Sequence, residues 1–177
     1  MMLEEKLKRV VRDVYDFPKP GIVFKDITPL LQDAKLCLEM VDAFVEQIKD
    51  CELDAVAGIE SRGFLFGMML ASRLQVPFIP IRKQGKLPFH TISESYALEY
   101  GQATIEMHED AFPKGSKILI HDDLLATGGT VVAASKLIEK LGGEVAGYCF
   151  VISLDFLNSQ GRLTRFSPNI FSLAHYN

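Results

Sequence analysis

The residues from Lys117 to Thr130 combine an apolar strand, two adjacent carboxylates, a glycine-rich turn and the start of a helix. The run Ile118 to Ile120 is typical of a parallel strand covered on both faces, so we expect the strand to end near His121. The turn that follows, called the glycine turn below, consists of Ala126, Thr127, Gly128, Gly129 and Thr130. Its backbone amides can point at an anion, and the start of the next helix adds a favourable dipole. The segment therefore predicts a phosphate site at the carboxyl edge of a sheet.

Asp122 and Asp123 lie between this strand and the glycine turn. The chain contains neither a Walker sequence nor the Gly-x-Gly-x-x-Gly string of dinucleotide folds, which disfavours nucleoside triphosphates and dinucleotides as ligands. A ligand that offers a monophosphate to the turn and hydroxyl groups to the carboxylates fits the order of the residues, and a ribose 5-phosphate has that layout. The alternative is that the two aspartates only cap the turn.

Two further turns carry charged residues directly after predicted strands over 55–59 and 77–81. They contain Glu60, Ser61 and Arg62 in the first turn, and Arg82, Lys83 and Lys86 in the second. Backbone amides and cations at the carboxyl edge of a sheet can hold a pyrophosphate, so the two turns are candidates for such a site. The alternative in each case is a solvated basic turn.

Strands and helices alternate along the chain, which predicts an α/β fold with a mainly parallel sheet flanked by helices. Amphipathic patterns predict helices over 1–14 and 34–49, the second capped by Asp33, and further helices over 63–74 and 129–141. The last predicted strand covers 145–153. Between 82 and 115 the pattern changes to a polar turn and two strands over 96–100 and 103–107, which predicts a hairpin arm with little core to anchor on.

Composition narrows the class of protein. With 177 residues and 19.8 kDa, the chain fits one compact domain over 1–177. The 19 basic and 23 acidic residues leave a net charge of −4, which disfavours nucleic acid as a partner, and the apolar stretches are too short to span a membrane. The three cysteines, Cys37, Cys51 and Cys149, show no metal or disulfide spacing and suit a reducing cytoplasm, and the four histidines indicate no protein metal site.

The apolar strand followed by Asp-Asp-Leu-Leu-Ala-Thr-Gly-Gly-Thr resembles the substrate motif of the type I phosphoribosyltransferases. Three more strings, at 17–26, 60–67 and 81–101, resemble the same family in the same order and extend the likeness over nearly the whole chain. The resemblance implies the type I phosphoribosyltransferase fold, with a small hood at about 15–33 and a flexible catalytic arm at about 82–109. It is strongest to the members that use adenine. These join adenine to 5-phospho-α-D-ribose 1-diphosphate (PRPP) and release AMP and diphosphate, a reaction of purine salvage.

The resemblance also implies roles for single residues. Asp122 and Asp123 would hold the ribose hydroxyls, and the glycine turn would hold the 5′-phosphate. The turn at Glu60, Ser61 and Arg62, with an unusual peptide geometry between the first two, would face the pyrophosphate. Arg82, Lys83 and Lys86 would stabilise the leaving group, and in dimeric relatives this lysine loop reaches the neighbouring subunit. On the arm, Glu99 would be the base that removes the N9 proton, with Tyr100 beside it in the binding site.

The hood residues would select the base. Adenine presents an amino donor where 6-oxopurines present an acceptor, so the backbone carbonyl of Val23 is expected to distinguish them. Phe24 belongs either to the core or to a wall that stacks on the base. Lys25 stands where relatives often have Arg, and Gln84 stands where they often have another basic residue.

The resemblance implies that Mg²⁺ arrives with PRPP, without a dedicated protein cage, and that the enzyme is a cytoplasmic homodimer. Two alternatives remain. One is a phosphoribosyltransferase for another purine, which the hood sequence disfavours. The other is a non-catalytic PRPP sensor of the kind found in transcriptional regulators. The net charge of −4, and a domain expected to start almost at Met1, leave no room for a basic DNA-binding module.

Overall fold

The structure, a computed structural model, describes residues 1–98 and 101–177. Its strands are β1 (Arg12–Tyr15), β2 (Val23–Asp26), β3 (Ala55–Ile59), β4 (Phe78–Lys83), β5 (Thr91–Ala97), β6 (Gln102–His108), β7 (Lys117–Leu125), β8 (Glu144–Leu154) and β9 (Ile170–Tyr176). Its α-helices are α1 (Leu3–Val10), α2 (Ala34–Gln47), α3 (Gly63–Leu74), α4 (Gly129–Lys140) and α5 (Gln160–Leu163). Two 3₁₀ segments cover Thr28–Gln32 and Asp155–Leu157.

Seven strands form one sheet in the order β5-β6-β4-β3-β7-β8-β9, and β1 and β2 form a separate hairpin. Neighbours from β4 to β9 run parallel, whereas β6 pairs antiparallel with both β4 and β5. The sheet is therefore mainly parallel and flanked by helices, as the alternating pattern predicted.

Helices cover both faces of this sheet. On one face, α1, α2 and α3 bury Leu7, Phe44 and Leu70 against a cluster that includes Val56 and Leu119 of β3 and β7. On the other face, α4 packs on a second cluster, formed by the residues that alternate with these in the same strands. Burial on both faces explains why the strands read as continuous apolar runs.

The first helix is shorter than predicted. It ends at Val10, and Val14 belongs instead to β1, where it pairs with Phe24 of β2. Strand pairing overrides the helical spacing here because the chain turns back after β1 and β2 pairs with it along its whole length, from Arg12↔Asp26 to Tyr15↔Val23. The second helix follows its prediction, and the Asp33 carboxylate caps it by accepting from the amides of Lys35 and Leu36.

The strand that carries the adjacent aspartates is longer than predicted. The prediction that it ends near His121 is wrong, because β7 continues to Leu125 while it pairs with β8 up to Ser153. On its other side, β7 pairs with β3 only as far as His121. Asp122 and Asp123 therefore lie on a part of β7 that extends beyond the end of its pairing with β3. From that point on, this edge of β7 is not paired with β3.

The arm is also more firmly seated than predicted. Its first strand starts at Thr91 rather than 96, and β6 joins the main sheet through pairs with Arg82 and Lys83. Ile105 and Met107 of β6 are buried in the core beneath α4. The expectation of little core to anchor on is therefore wrong for the base of the arm. The elements after β8, including β9, were not predicted from the sequence.

Candidate active site

A cleft of about 400 Å³ lies at the carboxyl edge of the sheet, where β3, β4 and β7 end. The residues that line it are Ile59, Glu60, Ser61, Arg62, Lys83, Tyr96, Ile105, Asp122, Asp123 and Thr130. The three charged segments found in the sequence therefore meet in one cleft, because parallel strands carry their following turns to the same edge.

The adjacent aspartates form an electrostatically strained pair. Asp123 is 4% exposed, and its Oδ2 lies 2.6 Å from Nε of Arg62. Asp122 is half-buried, and its Oδ1 accepts a 2.8 Å hydrogen bond from the amide of Asp123. Burial, followed by the negative charge of Asp123, raises the pKa of Asp122 well above its usual value. Arg62 thus pairs directly with Asp123, and its charge offsets the raised pKa of Asp122 only weakly.

The start of α3 approaches β7 closely at this pair. A methyl group at Gly63 would lie 2.9 Å from the backbone oxygen of His121 and 3.1 Å from Oδ1 of Asp122. Only glycine allows this approach, which brings the turn before α3 against the aspartates. The guanidinium carbon of Arg62, in that turn, also lies 5.1 Å from the centre of the Phe24 ring, so Arg62 links the hood to the cleft.

The turn after β3 contains a carboxylate whose two oxygens are both occupied. Oε1 of Glu60 accepts a hydrogen bond from Nη2 of Arg82 at 2.8 Å. Oε2 of Glu60 accepts one from Nε of Arg82 at 3.2 Å and another from the amide of Lys83 at 2.9 Å. The Arg82 guanidinium lowers the pKa of Glu60, and Glu60 in turn raises the pKa of Arg82. The peptide bond between Glu60 and Ser61 is cis, the unusual geometry implied by the resemblance.

A buried carboxylate organises the following basic turn. Glu106 of β6 is 4% exposed, and its Oε1 accepts from the amides of Lys86 and Leu87 at 3.1 and 2.9 Å. Arg82 donates from Nη1 to the backbone oxygen of Lys86 at 3.1 Å. The side chains of Lys83 and Lys86 are both exposed, but only Lys83 is among the residues that line the cleft.

The glycine turn has the predicted position before α4. Gly128 has φ +76° and precedes the first helical residue, a backbone conformation that suits glycine. Thr127 is exposed and its backbone oxygen accepts from Nη1 of Arg162 at 3.0 Å. Thr130 lines the cleft, and Ala126 is half-buried. Of the five residues of the glycine turn, Thr130 is the one that lines the cleft, whereas Gly128 is buried and Gly129 lies close to Tyr96 of β5.

In the hood, Val23 is 41% exposed, and Phe24 packs edge-on against Phe17 with ring centres 5.2 Å apart. Lys25 is occupied within the hood: its Nζ lies 2.6 Å from Oδ1 of Asp13 and 4.3 Å from the centre of the Tyr176 ring. Phe24 thus presents a half-buried aromatic ring near the cleft, whereas Lys25 is engaged away from it.

His121 is part of the support beneath the cleft. Its ring is fully buried and packs edge-on against Phe44, with ring centres 5.5 Å apart. Burial lowers its pKa to about 4, so the imidazole is neutral at pH 7. It is a packed histidine, as expected, although it lies within the strand rather than at its end.

Glu99 and Tyr100 lie outside the described residues. The arm instead contributes Tyr96 and Ile105 to the cleft, two residues to which the sequence assigned no role. The sequence held a signal for Tyr96, because Ile92 and Tyr96 alternate with Ser93 and Ser95, and the structure places the first two on the inward side of β5. The predicted strand began too late to show this.

Within residues 1–98 and 101–177 there is no group of three or more histidine, cysteine, aspartate or glutamate side chains that could hold a metal ion. Across the same part of the chain, no helix has the length and apolar character needed to cross a bilayer.

Comparison with known proteins identifies the family. The phosphoribosyl transferase domain family matches residues 31–164. A protein of Cytophaga hutchinsonii named adenine phosphoribosyltransferase is 52% identical over 175 residues, which cover 99% of this chain and 97% of that protein.

Solved structures show the same likeness. The adenine phosphoribosyltransferase of Thermoanaerobacter pseudethanolicus superposes with a TM-score of 0.93 at 46% identity, over 97% of this chain and 99% of the other. That of Saccharomyces cerevisiae, complexed with adenine and an imino-altritol bisphosphate, has a TM-score of 0.90 at 38% identity, over 97% and 98%. The chain therefore belongs to the phosphoribosyltransferase family, and within it to the adenine phosphoribosyltransferases.

Proposed function

We propose that the protein transfers the phosphoribosyl group of PRPP to N9 of adenine and releases AMP and diphosphate, a step of purine salvage. One observation carries this proposal: the paired aspartates, the start of the glycine turn's helix and the cations of two further turns line a single cleft. Their order matches a ligand with a phosphate at one end, hydroxyl groups in the middle and a pyrophosphate at the other. The relatives named above support adenine as the base.

Asp122 and Asp123 bind the two ribose hydroxyls in this proposal, and the glycine turn binds the 5′-phosphate through its amides. Hydroxyl donors would relieve the repulsion between the two neighbouring carboxylates, of which Asp123 is paired with Arg62. Arg62 would then move from Asp123 toward the pyrophosphate, since its side chain is 40% exposed and makes a single close contact there. Ser61 offers its backbone and hydroxyl in the same turn.

The leaving group is stabilised by cations that the protein holds in advance. Glu60 does this indirectly, because it fixes Arg82 through two hydrogen bonds while the third nitrogen of Arg82 holds the backbone oxygen of Lys86, so the basic turn keeps its shape. Lys83 reaches the cleft directly, and Lys86 extends from the same turn. Exposed apolar side chains on α2 and α3, namely Leu38, Leu65 and Met68, support a homodimer in which this turn serves the neighbouring subunit.

Magnesium fits this site as an ion carried by the substrate. The Asp122 and Asp123 carboxylates supply oxygen donors of the kind that Mg²⁺ prefers, and the phosphates of PRPP supply more. Bound in this way, the ion would neutralise charge on the pyrophosphate. The chain's own contribution is to hold the ribose from one side with the two carboxylates.

For the base, Val23 offers a backbone carbonyl to the adenine amino group, and Phe24 provides a wall that stacks on the ring. Glu99, beside Tyr100 on the arm, accepts the N9 proton as the N9–C1′ bond forms and the bond from C1′ to the pyrophosphate oxygen breaks. The arm, whose base packs on α4, shields this centre from water.

Incubation of the protein with labelled adenine, PRPP and Mg²⁺ tests the function. We expect AMP and an equal amount of diphosphate, and much slower reaction with hypoxanthine or guanine. Binding of PRPP without any turnover would instead identify a sensor, and faster turnover of a 6-oxopurine would identify the other transferase.

The role of Glu99 has its own test. Glu99→Gln should lower kcat by about 10²-fold to 10⁴-fold, because general base catalysis contributes that much, and should leave the affinity for PRPP nearly unchanged. An unchanged kcat with a raised KM would make Glu99 a binding residue.

The neutral cysteines and the lack of a disulfide support a reducing cytoplasm as the location.

A further inference from the structure

The inner face of β5 carries a carboxylate in an otherwise apolar row. Ile92 and Tyr96 are half-buried against the core under α4, while Ser93 and Ser95 on the other face are exposed. Glu94 lies between the two apolar residues, and its side chain is only 13% exposed. A carboxylate at this position loses hydration, so it needs a compensating partner.

Two lysines one helical turn apart on α4 provide that partner. Nζ of Lys136 lies 2.9 Å from Oε1 of Glu94, and Nζ of Lys140 lies 2.5 Å from Oε2. Lys140 also donates to the backbone oxygen of Ser93 at 3.3 Å. Positions four apart share one face of a helix, so both cations meet the strand together. Lys140 and then Lys136 hold the pKa of Glu94 below its usual range.

Such an ion pair defines position more than it adds stability. Partly exposed pairs contribute little to the free energy of unfolding, because solvent screens them and side-chain entropy is lost. A shift of β5 along α4, however, would place the Glu94 carboxylate against apolar side chains and leave two lysines unpaired. The three charges therefore allow one register of the arm on the helix.

This register matters because the same strand continues into the cleft. Tyr96 lines the cleft, and its Cδ2 would lie 3.5 Å from a methyl group placed on Gly129 of the glycine turn. The backbone oxygen of Ala97 would lie 3.7 Å from the same methyl group. The strand thus touches the turn two or three residues after Glu94.

We infer that Glu94 is a positioning residue for phosphoribosyl transfer: its pairing with Lys136 and Lys140 sets the arm on α4 so that Tyr96 is held between the glycine turn and the cleft. Glu94 does not touch the substrate in this inference. It acts through Tyr96 and through the rest of the arm. The inference rests on the proposed function.

The test compares AMP synthesis and thermal unfolding for the wild type, Glu94→Gln and a control, Glu39→Gln. Glu39 forms an equally short pair with Lys6, 2.6 Å, between α1 and α2. We expect Glu94→Gln to lower kcat by about tenfold, the size of loss that a small misplacement causes, with little change in Tm. Glu39→Gln should leave kcat unchanged. The exchange E94K/K136E keeps opposite charges in contact between positions 94 and 136 but sets like charges together at positions 94 and 140, so it should restore only part of the activity.

A second set of variants keeps the test decisive if the exchange does not fold. The triple variant E94Q/K136M/K140M should be no slower than E94Q, because all three residues act through one contact. The inference is overturned if E94Q has wild-type kcat or if its activity falls only in step with its folded fraction. It is also overturned if the triple variant has a clearly lower kcat than E94Q. A wild type that makes no AMP would instead refute the proposed function, and the inference with it.

Discussion

Carboxylates pair with an arginine in two regions of the cleft, and the two regions differ in how completely the carboxylates are paired. After β3, Glu60 uses both oxygens on Arg82 and on the amide of Lys83, and its pKa lies below its usual value. Along β7, Arg62 pairs directly with Asp123, and the pKa of the neighbouring Asp122 lies well above its usual value. The first region is complete without a ligand. In the second region two neighbouring carboxylates repel each other, and hydrogen-bond donors on a ligand would relieve that repulsion; under the proposed function these donors are the ribose hydroxyls.

The comparison also predicts opposite effects of pH. A carboxyl group with a lowered folded pKa stabilises the protein above its unfolded pKa and loses that contribution as pH falls. A carboxyl group with a raised folded pKa does the reverse: it costs stability as pH rises from the unfolded pKa toward the folded value. Glu60 belongs to the first kind and Asp122 to the second.

The largest expected effect comes from removing both charges in the strained region. Asp122→Asn together with Asp123→Asn should lower the rate of AMP synthesis by at least about a hundredfold, because each charge-assisted bond to a hydroxyl contributes roughly 1.5–3 kcal/mol. Steady-state kinetics measure the loss, and circular dichroism shows whether the fold persists. Activity close to that of the wild type would show that the ribose binds elsewhere.

A smaller effect is expected in the complete region. Glu60→Gln should lower kcat/KM for PRPP by about tenfold and also lower the free energy of unfolding, by up to about 1 kcal/mol, because solvent screens a pair whose arginine is 32% exposed. Kinetics and urea unfolding measure the two losses. Lost activity with unchanged stability would mean that Glu60 acts by contacting the substrate and not by holding Arg82. The contrast between the Glu60 region and the aspartate pair would then be wrong.

The smallest effect separates binding from stability at one residue. Asp122→Asn alone should make the ligand-free protein more stable at pH 7, by about 1.4 kcal/mol for each unit by which the folded pKa is raised. The gain should shrink as the pH falls toward the unfolded pKa of Asp, where the wild-type group is protonated in both states.

Urea unfolding of the wild type and Asp122→Asn between pH 4.5 and 8 measures this difference. Glu106→Gln serves as the opposite control, since the pKa of that buried carboxyl lies below its usual value and its loss should destabilise the protein. A variant Asp122→Asn that is less stable than the wild type at neutral pH would show that the aspartate pair is not strained.

Most of the fold followed from local pattern. Apolar runs and caps predicted β3, β8, α2, α3 and α4 within a few residues, because these elements are buried on faces that their own periodicity defines. The errors fell where pairing with a distant strand decided the structure. Val14 joined a hairpin instead of a helix, and β7 ran on to Leu125 because β8 lies beside it.

The sequence by itself determined the chemistry of the site: adjacent carboxylates, a glycine turn before a helix, and cations after two strands. These depend on residue type and short spacing, which can be read along the chain. Only the tertiary structure decided how the charges pair, with Glu60 on Arg82, Asp123 on Arg62 and Glu94 on two lysines of α4. Partners separated by about 20 to 60 residues meet only when the sheet brings strand ends to one edge. For that reason Glu60 has both carboxylate oxygens paired, whereas Asp122 and Asp123 lie side by side and the pKa of Asp122 is raised.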